Sequence, residues 1–256
     1  WLFALTTRQQ KATINRSSFM LVAIGGCGAA IYQPAFFAGV EQCGVAVGTV
    51  IALGSGPMFA GFIDKVVRKQ QLGTRWYLGT ATMLIGVAVL VATGRNTTGP
   101  TQLSVTGVLS ALAAGLGYAI YAQTTSSLIA LKLSSTTALA LQFSVAAIIL
   151  TPFMVIDVMS STTPNWIWSG SGAVMLLHLG VLTAGVAYVL YGWGLRTLPV
   201  STAVSITLVE PLTAAGAAFL VLGERLSATG GMATIIVVIG LVVLTVTGRL
   251  PSARTQ

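Results

Sequence analysis

The sequence predicts an all-α polytopic membrane protein: inverted five-helix repeats on a ten-helix plan, of which about eight complete spans are present. Three observations predict it. Hydrophobic residues make up 55% of the 256 and charged residues only 7%, against roughly 25% charged in a soluble domain. Uncharged runs long enough to cross a bilayer recur along the chain, and basic residues fall almost wholly in alternate loops. The first of these, with a mean hydropathy of +0.88, excludes a soluble enzyme, a disordered chain and a disulfide-rich secreted domain.

A spanning helix needs about 20 mostly apolar residues. Eight segments meet that length: 18–39, 44–63, 76–93, 105–126, 137–156, 171–194, 201–221 and 229–247. Seven lack charge entirely, and the other, 201–221, carries Glu210 near its centre. Trp76, Tyr77, Trp166, Trp168 and Trp193 mark span ends, where amphipathic rings settle at the membrane–water boundary.

Alternating the loops between two sides sorts the charge. One side receives Arg8, Lys11, Arg16, Lys65, Arg68, Lys69, Arg75, Lys132, Arg196, Arg249 and Arg254, the other only Arg95 and Arg225. Eleven of 13 basic residues on one face make that face cytoplasmic and put the C-terminus there. The net charge of +8 is therefore an orientation signal that also favours anionic lipid, and no basic patch suggests nucleic acid. Cys27 and Cys43 are 16 residues apart, about 24 Å along a helix, whereas a disulfide needs Cα atoms about 6 Å apart. Two free thiols are expected.

A shift of 154 residues aligns the chain with itself. Val50, Pro57, Ala60, Val67, Leu72, Thr80, Ile85-Gly86, Val89-Leu90 and Thr93-Gly94-Arg95 meet identical residues, from Val204 and Pro211 to Thr247-Gly248-Arg249. These are 13 identities in 46 ungapped positions. Span 44–63 matches 201–221 five spans later, and an odd offset turns the second copy over in the membrane. Inverted repeats are typical of secondary transporters, with the substrate site near the midplane. The first copy is expected over 1–95, the second over 105–248 and a cytoplasmic tail over 249–256. Because the second copy holds five spans and the first three, preceded by Trp1–Leu5, the chain is expected to lack two N-terminal helices of the ten-helix plan.

The second copy contains a more specific pattern. Arg196-Thr-Leu-Pro-Val-Ser-Thr-Ala-Val-Ser-Ile-Thr-Leu-Val-Glu210-Pro211 is followed by Leu222-Gly223-Glu224-Arg225-Leu226 and by Gly231-Met-Ala-Thr-Ile-Ile-Val-Val-Ile-Gly240. This run resembles the EamA domain, which defines a branch of the drug/metabolite transporter superfamily. The first copy departs from it, with Gly56-Pro57 in place of Glu-Pro and Lys69-Gln70-Gln71-Leu72 in place of Gly-Glu-Arg-Leu. The resemblance implies an inner-membrane, ten-helix carrier of amino acids, other metabolites or amphiphilic drugs, often an exporter, with no cofactor.

The candidate site residues for substrate binding or coupling are Glu210, Pro211, His178, Tyr32, Tyr118, Tyr188 and Gln142. Glu210 has 13 uncharged residues on either side, so inserting it costs at least ~2.5 kcal/mol unless water, a partner or a proton accompanies it. That suits proton or cation coupling. The structural reading is a carboxyl satisfying backbone groups freed by Pro211, which removes a donor and kinks the helix. His178, the lone histidine, either binds substrate or relays protons, or it is hydrogen-bonded between helices. Tyr32 beside Gln33, the Tyr118/Tyr121 pair and the Tyr188/Tyr191 pair would suit an organic substrate, or else pack and anchor. Gln123 and Gln142 allow the same two readings. Small residues at four-residue spacing, such as Ala111 with Gly115, permit close helix contact.

Two alternatives to a carrier working by alternating access differ in class. An intramembrane serine protease needs Gly-x-Ser-Gly and a histidine on another helix; here Leu53 and Ser169 take the first glycine's place, and His178 shares a span with Ser171. The expectation is therefore no enzyme. A non-transporting scaffold would leave the repeat surfaces unpaired, and a dimer is one way to cover them. The orientation is tested with reporters: a fluorescent protein fused after span 229–247 is expected to be cytoplasmic, and alkaline phosphatase joined at Arg95 to be active outside. Reporters active the other way round would reverse the topology.

Overall fold

A computed structural model describes residues 16–67, 69, 71–94, 104–160, 169–187, 190, 213, 217, 220, 221 and 228–246. In order, its elements are α1 (Arg16–Cys43), α2 (Val45–Val67), α3 (Thr74–Gly94), α4 (Val105–Ala130), α5 (Ser135–Met159), α6 (Gly170–Leu177) with a π-helical continuation (His178–Val186), and α7 (Ala228–Val246). Seven of the eight expected spans coincide with these helices; span 201–221 lies outside the described residues except at 213, 217, 220 and 221. Among the described residues, four helices are long and apolar enough to cross a bilayer by themselves: α1, α2, α4 and Ser135–Ile156 of α5. The protein is an all-helical, multi-pass membrane protein.

Local chemistry sets the helix ends. α1 runs four residues past its expected end, through Glu41 and Gln42, and stops where Gly44 takes a φ of 82°, a left-handed conformation that costs glycine nothing. Pro34 and Pro57 lie inside α1 and α2 without ending them. Each removes one N–H, so the carbonyls of Ala30 and Leu53 lose their helical donors. The turn after α4 is a Schellman motif with Lys132 (φ 68°) as its left-handed residue. Leu133 N donates to the Leu128 carbonyl at 3.1 Å and Lys132 N to the Ile129 carbonyl at 2.8 Å. Leu128 and Leu133 supply the apolar contact of the motif, both buried in one cluster. Ser134 then caps α5, its hydroxyl accepting from Thr137 N at 3.1 Å. Ser169 caps α6 in the same way through Gly172 N.

The chain forms two compact units, residues 1–30 with 124–203 and residues 31–123 with 204–256. In the first, Val22, Leu128, Leu133 and Ala138 form the core. In the second, Val50, Ile51, Met83, Ala111, Ala114, Ala233 and Val237 are buried together. The large apolar side chains on the outside include Phe19, Leu109, Ile148, Phe153 and Met159, the last 80% exposed. A soluble protein would hide these. Here they face hydrocarbon, while alanine, glycine, serine and threonine fill the contacts between helices. Hydroxyls within helices turn back on carbonyls one turn earlier, as Thr82 does to Leu78, Ser144 to Ala140, Thr151 to Ala147 and Thr234 to Gly230. Cys27 and Cys43 are free thiols.

In the second unit α3 and α7 make a reciprocal contact. A methyl group on Gly86 would lie 2.8 Å from Val237 N and 3.0 Å from the Ala233 carbonyl. A methyl on Gly240 would lie 2.6 Å from Met83 N and 2.8 Å from the Gly79 carbonyl. The positions advance along α3 as they retreat along α7, so the helices are antiparallel. Leucine at Gly86 or Gly240 is expected to lower stability by about 1–3 kcal/mol through overpacking. Gly231→Leu, where nothing lies within 4 Å, serves as the control in thermal unfolding of the detergent-solubilised protein. Equal effects at all three positions would contradict the contact.

Candidate functional site

The second unit gathers aromatic rings around two interrupted helices. Tyr118 and Tyr121, three residues apart on α4, share a face, and their ring centroids are 5.2 Å apart, edge to face. Tyr32 of α1 meets both, at 5.9 Å from Tyr118 and 6.1 Å from Tyr121, and Phe36 stacks one turn further along α1 at 5.9 Å from Tyr32. Tyr121 is buried, whereas Tyr32 and Tyr118 are half-buried. Tyr32 stands two residues before Pro34, where the α1 backbone has lost a hydrogen bond.

α2 fits against α4 at its own proline. Gly56, beside Pro57, lets the Tyr118 ring lie against the α2 backbone: a methyl there would be 2.8 Å from Tyr118 Cδ1. Gly115 of α4 likewise receives Ser55, whose hydroxyl donates to the Ala52 carbonyl at 3.1 Å. Gln123 completes the contact by donating from Nε2 to the Ala60 carbonyl at 3.3 Å. Ring, hydroxyl and amide thus follow one another along the α2–α4 seam. The hydroxyl and the amide are engaged with α2 carbonyls, so what the seam leaves half-buried beside them is aromatic: Tyr32 and Tyr118.

Gln142 belongs to the first unit. It is wholly buried, and both ends of its amide are engaged: Nε2 donates to Thr124 Oγ1 at 3.0 Å, and Oε1 accepts from the Thr125 hydroxyl at 2.7 Å. Gly25 of α1 leaves room for this amide, since any side chain at that position would collide with Gln142 and Thr124. Gln142 therefore works as a latch between α4 and α5. His178 opens the π-helical segment with an exposed side chain, not buried between helices, and its carbonyl accepts from the Thr183 hydroxyl at 3.3 Å. Glu210, Pro211 and Tyr188 lie outside the described residues.

Sequence reasoning named Tyr32 and Tyr118 as separate candidates, the latter paired with Tyr121 by its three-residue spacing, and the structure brings all three together. It gave no sign of the roles of Gly56, Ser55, Thr124 and Thr125, because contacts across helices have no local signature. At the end of α2, Lys65 donates from Nζ to the Tyr77 hydroxyl at 2.8 Å and lies 5.2 Å from the centroid of that ring, a pairing suited to the membrane boundary. Among the described residues no three His, Cys, Asp or Glu side chains cluster as metal ligands would.

A helical protein with large apolar side chains outward and polar and aromatic contacts inward is a multi-pass membrane protein. The model of the EamA-like transporter family matches residues 105–246, and the chain belongs to that family. A Bacillus subtilis (strain 168) protein named "Uncharacterized transporter YwfM" is 34% identical over 237 residues, covering 92% of this chain and 76% of its own length. A Haemophilus influenzae protein named "Uncharacterized transporter" is 30% identical over 145 residues, 56% of this chain and 82% of its own.

The Gln142 latch has a measurable consequence. Gln142→Leu is expected to cost about 1 kcal/mol in unfolding, within the range for hydrogen bonds between membrane helices. Thr124→Val added to it should cost little more, because the two residues share a bond. Additive losses would show that they act independently.

Proposed function

We propose that the protein is a secondary carrier that moves small organic metabolites, such as amino acids or amphiphilic drugs, by alternating access, and that it works as an exporter in the inner or plasma membrane with its C-terminus in the cytoplasm. The observation that carries this reading is the α3–α7 contact. Gly86 and Gly240 are 154 residues apart, and so are the pairs they meet, Met83 with Val237 and Gly79 with Ala233. Each contact therefore maps onto its mate when the two copies are exchanged. Exchange of two antiparallel helices is a half-turn about an axis perpendicular to both, and for spanning helices that axis lies in the membrane plane. Inverted repeats of this kind support carriers that open alternately to either side.

On this reading the first copy spans 1–95 and the second 105–248. Tyr32 and Tyr118 contact substrate, with Tyr121 behind them. Glu210 couples transport to protons, since a carboxylate within an uncharged span is held there at a cost that protonation relieves. Its counterpart at the same shift is Gly56, so coupling belongs to one copy alone.

The test is uptake into proteoliposomes across a panel of amino acids and amphiphilic cations, with and without a pH gradient. Gradient-driven accumulation is expected for the native protein. Glu210→Gln should abolish that accumulation while exchange of labelled for unlabelled substrate continues. A variant that still accumulates substrate with the gradient would remove Glu210 from coupling, and a native protein that moves nothing in the panel would count against the carrier itself.

A further inference from the structure

We propose that Gly56 is a specificity-determining, positioning residue: by leaving its side-chain space to the Tyr118 ring, it sets how large an apolar group the tyrosine cluster admits. This rests on the carrier reading above. A methyl on Gly56 would stand 2.8 Å from Tyr118 Cδ1 and 3.4 Å from Cε1, and ordinary contact begins at 3.4 Å, so the ring must move to make room. The ring is not free to move alone. Tyr121 meets it edge to face at 5.2 Å and Tyr32 lies 5.9 Å away, so displacement of Tyr118 presses on both. The ring also cannot back away with its helix. α4 is held against α2 one turn earlier, where Gly115 receives Ser55, and beyond it by the Gln123 bond to the Ala60 carbonyl. A side chain at position 56 is therefore turned into motion of the two half-buried tyrosine rings, Tyr118 and Tyr32.

The same position is the repeat mate of Glu210, each immediately before a matched proline. One copy thus carries a carboxylate at this place, while the other carries no side chain and takes an aromatic ring from α4. The vacant Cβ of Gly56 is what makes the first copy's contribution to substrate recognition aromatic and apolar. The group recognised at this end is accordingly an uncharged, ring-sized part of the substrate, packed against tyrosine edges.

The experiment uses the full chain labelled with 3-fluorotyrosine, with the Tyr118 fluorine resonance identified by its loss in Tyr118→Phe. Gly56→Ala is expected to shift the Tyr118 and Tyr32 resonances and leave that of Tyr77 in place. In proteoliposomes, uptake of L-phenylalanine relative to L-alanine should fall by roughly tenfold, the lower end of what one methyl group achieves in an apolar pocket. Tyr118→Leu combined with Gly56→Ala should restore much of the ratio by removing the collision. A shifted resonance with an unchanged ratio would overturn the specificity role, and an unshifted resonance would overturn the positioning. Should Gly56→Ala fail to fold, the double variant is compared with Tyr118→Leu alone: equal ratios support the proposal, because without the ring the methyl has nothing to displace, and a further fall on adding the methyl overturns it. Native protein that takes up neither amino acid removes the carrier reading with these probes, and the proposal with it, before any variant is made.

Discussion

Helices surrounded by hydrocarbon gain nothing by hiding apolar surface from it, so they associate only where backbones come close or polar groups need each other. That constraint organises this molecule. Gly86 and Gly240 bring α3 and α7 together, Gly56 and Gly115 bring α2 and α4 together, and Gly25 makes room for the Gln142 amide. Each glycine is paired with something that fills it: a valine, a methionine backbone, a tyrosine ring, a serine hydroxyl, an amide. The fold is a set of such fitted pairs, into which a few aliphatic side chains such as Ile51, Met83, Leu128 and Val237 are packed. Many others lie outside, where the bilayer solvates them.

The polar side chains follow the same rule. Hydroxyls such as those of Thr82, Ser144, Thr151 and Thr234 are satisfied within their own helix, which adds little specificity. The exceptions mark particular contacts. Gln142 takes Thr124 and Thr125; Gln42 accepts from both Ser104 and Thr106 where α1 ends and α4 begins; Gln123 reaches the Ala60 carbonyl. All three are amides, which can satisfy donors and acceptors without burying a charge. The tyrosine cluster differs in kind, since its contacts are between aromatic rings and two of its members, Tyr32 and Tyr118, are only half-buried.

How much of this was legible in the sequence depends on the range of the interaction. Span positions were legible because hydropathy is a property of consecutive residues, and the helices found overlap the expected spans closely. Their ends were less so: α1 continues to Cys43 through polar residues because Gly44, not the loss of hydrophobicity, stops it. The π-helical segment from His178 to Val186 was not legible, since its residues are as apolar as those of any α-helix. In the site, Tyr118 and Tyr121 were visible by their spacing and Tyr32 by its place before Pro34. The seat of Tyr118 on Gly56 was not, because nothing local to α2 says which ring on α4 will arrive there. The repeat lay between these cases. Its identities were readable, but only the contacts of Gly86 and Gly240 give them a shared geometry.

That geometry is the central claim, and disulfide cross-linking tests it most directly. In a background with Cys27→Ser and Cys43→Ser, two pairs are made: Gly86→Cys with Ala233→Cys, and Gly79→Cys with Gly240→Cys. Their controls join repeat mates: Gly86→Cys with Gly240→Cys, and Gly79→Cys with Ala233→Cys. The antiparallel, exchangeable arrangement predicts that both pairs cross-link under mild oxidation in native membranes and that both controls do not. Cross-linking of the controls in place of the pairs would mean that α3 and α7 run parallel, and the inverted repeat would be wrong.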